Sequence, residues 1–240
     1  MAAMNTILFV PGAWHRAKCF SDVAALLKQS GYNTELIELP SVGPSKHLEN
    51  FDRDVAVIRE RVEKARAAGQ KVTIVAHSYG GLPTTEAGKY FTRGEVSQLV
   101  YLASFIIPEG SSLISAFGGN DLPWFDVSED GTEVRPKHPE AIFYNDMSEE
   151  AQANAVANLA PHSYRVFHSA LTYAAWKHVP TTYVYCSRDA AIPLEIQKTM
   201  VERTAQGFPI RTQELDASHS PFLSLPRETA DAIERAVLGG

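Results

Sequence analysis

Cysteine is scarce in this chain: Cys19 and Cys186 are the only two among 240 residues. No CxxC pair or zinc-knuckle spacing exists, which excludes a disulfide-dense scaffold and a structural zinc site. The two cysteines could in principle pair with each other, but they read better as reduced thiols of an intracellular protein. Clustered positive charge is also missing. The formal net charge is −6, without any block of like charges, and phosphate binding needs a clustered basic surface, so nucleic acid is not an expected partner. No apolar run reaches the length of a membrane span. Ile7–Val10 is too short for a signal-peptide core, and Met1 to Asn5 carries no basic region. These absences predict a soluble, cytoplasmic protein that does not engage a membrane. No GxxxxGK[ST] loop, no GxGxxG after the first strand and no HExxH occur, so neither cofactor nor metal is expected.

What is present is ordinary in amount and ordered in pattern. Hydrophobic residues make up 45% and charged residues 21%, enough apolar surface for a large core in one domain. Thr6–Val10 is an apolar run stopped by Pro11-Gly12. Similar runs occur at Thr34–Leu39, Lys71–Ala76, Gln98–Ala103, Thr181–Cys186 and Ile210–Leu215. Between them lie helical patterns. Val23, Leu26 and Leu27 share one face of a segment from Ser21 to Ser30, and Val55, Ile58, Val62 and Ala65 are spaced three, four and three apart. Further helices are predicted from about Gly80, from Pro193 to Thr204 and from Pro226 to Val237. Strands that are apolar throughout and alternate with helices predict a doubly wound, mainly parallel α/β sheet covered on both faces.

The rhythm breaks after Pro108. From Glu109 to about His178 no long apolar strand is visible, so residues 109–178 read as an insertion lying over a sheet core of residues 1–108 and 179–240. Pro123, Trp124, Gly131, Pro136 and Pro139 suggest irregular structure at its start. A helix is predicted over Ser148–Asn158, capped by Ser148, and another around Tyr164–Trp176.

The most informative stretch is Ala76-His77-Ser78-Tyr79-Gly80-Gly81, which follows a strand and precedes a helix. That is the setting of the G-x-S-x-G nucleophile elbow, where small flanking residues let the chain turn sharply and expose the serine hydroxyl. Ala76 stands in for the first glycine. A serine hydroxyl is a weak nucleophile at neutral pH and needs a base, with an acid to orient it, in the chain order Ser, Asp/Glu, His. Eight histidines are present, and most are expected at the surface. His219, in the loop after the last strand, is the candidate base. His77 is rejected because adjacent residues on a tight turn diverge. Asp189, after the strand ending at Cys186, is the candidate acid, and its rival Asp216 reads as a turn former. The backbone N–H of Tyr79 and that of Ala13, beside the permissive Gly12, are the candidate oxyanion donors. Gly12, Trp14, Phe105, Trp124 and Phe222, with Tyr79, are candidate walls of an apolar pocket. Trp124 could equally be core.

These residues resemble the α/β-hydrolase superfamily. More narrowly, the chain is similar to the group that includes plant methylesterases and hydroxynitrile lyases, with bacterial and fungal esterase-like relatives. The resemblance rests on Phe9–Trp14, the Ser78 elbow, Leu99–Ala103 leading to Phe105 and Pro108, Cys186–Pro193 and Ser218–Ser224. It implies a six-stranded core and a helical lid over a mostly apolar pocket. Pro11 stands where most members have histidine. Gly12 and Ser220 replace the threonine and lysine of the lyases, which points to the esterase branch. The implied activity is hydrolysis of a small ester or lactone through an acyl-enzyme on Ser78. Carbon–carbon bond cleavage in secondary metabolism and a non-catalytic ligand receptor are the alternatives. The lid could also take part in a homodimer interface.

Overall fold

The computed structural model describes residues 5–91 and 94–239, so the reading of residues 1–4 lies outside the described residues. In chain order the elements begin β1 (Asn5–Val10), α1 (Ser21–Gln29), β2 (Asn33–Leu36), α2 (Asp52–Ala67), β3 (Lys71–His77), α3 (Gly81–Ala87) and β4 (Val96–Leu102). A long excursion follows, with α4 (Leu113–Ala116), β5 (Phe125–Val127), β6 (Glu133–Pro136), α5 (Pro139–Phe143), α6 (Glu149–Ala157) and β7 (His162–Ser163). The chain ends with β8 (Thr181–Cys186), α7 (Leu194–Thr199), β9 (Ile210–Leu215), α8 (Pro221–Ser224) and α9 (Pro226–Leu238).

The main sheet has six strands in the order β2-β1-β3-β4-β8-β9, and every neighbouring pair is parallel. Alternation along each strand splits the core in two. Leu8, Val10, Ile74 and Tyr101 face the layer of α2, α3 and the excursion. Ile7, Phe9, Val75 and Val100 face α1 and α9. Both faces are therefore covered, which explains why the strands read as unbroken apolar runs. Parallel strands put the segments after β1, β3, β4, β8 and β9 at one edge of the sheet, and there the candidate residues collect.

Two expectations fail in the excursion. The helix over Tyr164–Trp176 does not form: the chain makes short 3₁₀ turns at Tyr164–His168 and Ala175–Lys177. Tertiary partners take the backbone groups that a helix would need. Leu171 N–H donates to Ser111 O, and the Thr172 and Tyr173 N–H groups donate to the Glu86 carboxylate. The irregular start of the insertion is instead partly a three-stranded antiparallel sheet, β5-β6-β7. Its Asp130-Gly131 turn was the available hairpin signal, but strands of two to four residues carry too little alternation to register. The insertion is thus mixed rather than helical. The Ser148-capped helix does form, with Ser148 Oγ accepting the Ala151 N–H. At the sheet edge β2 stops at Leu36 instead of Leu39.

Candidate active site

β3 runs straight into the elbow. Ser78 has φ of +49°, a strained value for a residue with a side chain, and is 8% exposed. Two backbones meet closely here. A Cβ on Gly80 would run into the carbonyl oxygens of Pro11 and Val10, so only glycine fits. Ser104, just past β4, donates its Oγ–H to the Ser78 carbonyl at 2.7 Å and fixes the turn from the neighbouring strand. Gly12 serves the same closeness from the β1 side, where a Cβ would lie 2.7 Å from His77 Nδ1 and 2.8 Å from Ser78 Cβ.

Asp189 and His219 meet across the ends of β8 and β9. His219 Nδ1–H donates to Asp189 Oδ2 at 2.7 Å, and the two residues are 2% and 6% exposed, His219 first. A carboxylate only accepts, so Nδ1 carries a hydrogen, and in the neutral ring Nε2 is the acceptor. Asp189 Oδ1 accepts the N–H groups of Ala191 and Ile192, both at 2.8 Å. Gln197, fully buried on α7, donates to Asp189 Oδ2 at 3.2 Å and also bridges Cys186 and Ile192. Asp216 turns outward to Arg188 and Ser187. The Ser78 hydroxyl and the His219 ring are not hydrogen-bonded to each other among the described residues.

Ser78, Tyr79, Ala13, Trp14, Phe105 and Trp124 line one cavity of about 20 Å³, room for roughly one water molecule. Leu113, Leu122, Phe125, Phe167, Ala191 and Ile192 complete it. Phe222 does not line it. Its ring is buried on the opposite side, 4.4 Å from Phe20 and 4.8 Å from His77. Gly12 contributes by its missing side chain. Trp124 is both wall and packing partner, edge-on to Trp14 at 5.5 Å. A larger cavity of about 420 Å³ lies between the Arg16–Cys19 turn and α6 and touches none of Ser78, Asp189 and His219.

Four of the eight histidines are buried, against the expectation of surface positions: His15, His77, His162 and His219. Burial holds His15 down at about 4 and His162 at about 3, and His77 well below the usual imidazole range. All three are therefore neutral near pH 7. His15 Nδ1–H donates to Ala13 O at 2.8 Å, while Tyr144 O–H donates to His15 Nε2 at 2.8 Å. Tyr79 O–H donates to Asp54 Oδ2 at 2.7 Å, and Asp54 Oδ1 accepts the Ser41 N–H. Asp54 is enclosed in α2, and burial raises it to about 6. Sequence reading missed His15, Asp54, Ser104 and Gln197, because each acts by bonding to a neighbouring group and none carries a motif of its own.

A six-stranded parallel sheet with a serine on the turn after β3, and an Asp–His pair after β8 and β9, defines an α/β hydrolase. Residues 7–232 match the alpha/beta hydrolase family, and the chain belongs to it. A probable hydrolase from Phoma sp. is 31% identical over 234 residues, covering 95% of this chain and 96% of the relative. A pyrethroid hydrolase from Sphingobium wenxiniae is 26% identical, covering 96% of this chain and 86% of the relative. The crystal structure of a methylesterase from Arabidopsis has the same fold, with a TM-score of 0.83 at 23% identity over 99% of this chain and 100% of that one.

Proposed function

We propose that the protein hydrolyses a carboxylic ester, or a lactone, of a small uncharged apolar compound through an acyl-enzyme on Ser78. The observation that carries this reading is the Asp189–His219 hydrogen bond at the edge of the sheet where the strained Ser78 elbow stands. Relatives named as a pyrethroid hydrolase and as methylesterases support it.

In this reading Ser78 Oγ attacks the ester carbonyl as its proton passes to His219 Nε2. Asp189 keeps the imidazole in the reactive tautomer and stabilises the imidazolium. The N–H groups of Ala13 and Tyr79 receive the oxyanion. Either donor is worth about 3 kcal/mol of barrier. The imidazolium then protonates the leaving alkoxide as the carbonyl–oxygen bond breaks. Water, deprotonated by His219, cleaves the acyl-enzyme, and the proton returns to Ser78 Oγ. The walls are aromatic and aliphatic with no charged side chain, so a charged acyl group would lose its hydration without a partner. Residues 109–178 act as a lid, because Leu113, Leu122, Trp124, Phe125 and Phe167 from that segment close the cavity over Ser78.

The test is turnover of short p-nitrophenyl esters by the protein and by Ser78→Ala. Loss of at least about 10³-fold in the variant is expected. Equal rates in both would reject Ser78 as nucleophile. A fluorophosphonate that labels the unaltered protein at Ser78 separates an enzyme from a receptor on the same fold.

A further inference from the structure

Trp14 has a backbone that its side chain should resist. Its φ is +64°, in the left-handed region where glycine is at home and a bulky residue is strained. It is the third residue of the turn closed by His15 N–H on Gly12 O. A positive φ at that position ordinarily selects glycine or asparagine. Such a conformation persists only where the surroundings over-determine it.

The surroundings that do so come from the excursion between β4 and β8. Trp14 N–H donates to His162 Nδ1 at 3.4 Å, and Trp14 O accepts the Ala160 N–H at 2.9 Å. The indole Nε1–H donates to Val134 O at 2.9 Å. The indole also packs against Trp124, Phe125, Phe143 and Phe167, with centroids 5.5 to 5.8 Å away. Relaxing Trp14 to a negative φ would turn over the Ala13–Trp14 peptide. The two ends of that peptide are held by His15 on Ala13 O and by His162 on Trp14 N–H. Ala13, whose N–H is the proposed oxyanion donor, would move with it. The same indole is a wall of the cavity.

We propose that Trp14 is a positioning and size-selecting residue. Through it the segment over the sheet holds the Ala13 N–H on target, and its indole limits the bulk of the acyl group admitted. The proposal rests on ester hydrolysis at Ser78.

Trp14→Gly and Trp14→Ala separate the two roles, with kcat and KM measured on p-nitrophenyl acetate and p-nitrophenyl octanoate per site labelled by a fluorophosphonate. Both variants lose the indole, so in both the octanoate-to-acetate ratio of kcat/KM rises by about tenfold or more, the scale of a few methylenes in an apolar pocket. Only glycine takes the positive φ without strain, so kcat on acetate is about tenfold higher in Trp14→Gly than in Trp14→Ala, at similar KM. If neither variant folds well enough to label, His162→Gln and His162→Leu replace them. Glutamine can still accept the Trp14 N–H, so kcat on acetate should be at least about threefold higher with glutamine. Equal kcat within the pair tested overturns the positioning role, and an unchanged octanoate-to-acetate ratio in the Trp14 variants overturns the size selection. Failure of the unaltered protein to label at Ser78 removes the reading beneath the proposal, and the proposal with it.

Discussion

His77 donates its Nε2–H to the carbonyl oxygen of His219 at 2.8 Å, and the two rings lie 4.6 Å apart. The residue before the serine thus anchors the backbone of the histidine after β9, although the two are 142 positions apart. His77 itself is a poor base, because burial holds it well below the usual imidazole range and disfavours the imidazolium that proton uptake would create.

His77→Phe should therefore damage the site without removing a reacting group. The buried His219 carbonyl would lose its donor, at a cost of about 1–3 kcal/mol. Urea denaturation should show that loss, and kcat should fall by about tenfold as the His219 loop loosens. His77→Gln, which can offer an N–H to the same carbonyl, should recover much of both. A full loss in the glutamine variant would show that the imidazole has some use other than this bond.

Gln197 makes a second prediction. Its carboxamide nitrogen shares two hydrogens among Ile192 O, Cys186 O and Asp189 Oδ2, and its oxygen accepts the Cys186 N–H. Gln197→Met keeps the volume and strips these bonds, so kcat should fall by about 10–100-fold as the orientation of Asp189 is lost. Gln197→Glu places a carboxyl beside Asp189. Its activity should drop further as pH rises and that carboxyl ionises, a trend absent in the methionine variant. Parallel pH profiles for the two would refute the role.

Asp54 sets a pH dependence of stability. Burial raises its folded pKa from 3.8 to about 6. The fold therefore favours the neutral acid, and that contribution is complete below about pH 4 and lost as pH rises through 6. The difference amounts to about 3 kcal/mol. Asp54→Asn cannot titrate, and its carboxamide can still meet both the Ser41 N–H and the Tyr79 hydroxyl. Thermal melts should give the asparagine variant a stability relative to wild type that climbs between pH 4 and pH 7. A constant difference across that range would refute the assignment.

The frame was legible in the sequence because continuous apolar strands, such as Thr181–Cys186, can only sit inside a parallel sheet covered on both faces. The Ser78 elbow was legible because its flanking residues must be small. Asp189 and His219 could be named from topology alone, since parallel strands deliver their ends to one edge. Phe222 could not be placed, because an aromatic in a loop near the site has the same composition whether it faces the cavity or the helices behind it. The Tyr164–Trp176 segment misled for a different reason. Its backbone bonds go to Ser111 and Glu86, partners that no local pattern displays. Trp14 was picked out for its ring, whereas its backbone conformation left no trace in residue type.

The pairing of β4 with β8 bears on how the chain assembles. Their register, Leu99 opposite Thr181 through Leu102 opposite Val184, closes a loop over residues 103–180. Closure entropy grows only with the logarithm of loop length, about 0.6 kcal/mol for each doubling. Lengthening or shortening that excursion is therefore cheap at equilibrium, while the distant contact retards folding. Loop length alone therefore does not bar exchange of this segment between relatives. Trp14 is where such a graft would be judged, because a transplanted segment must bring its own hold on that turn.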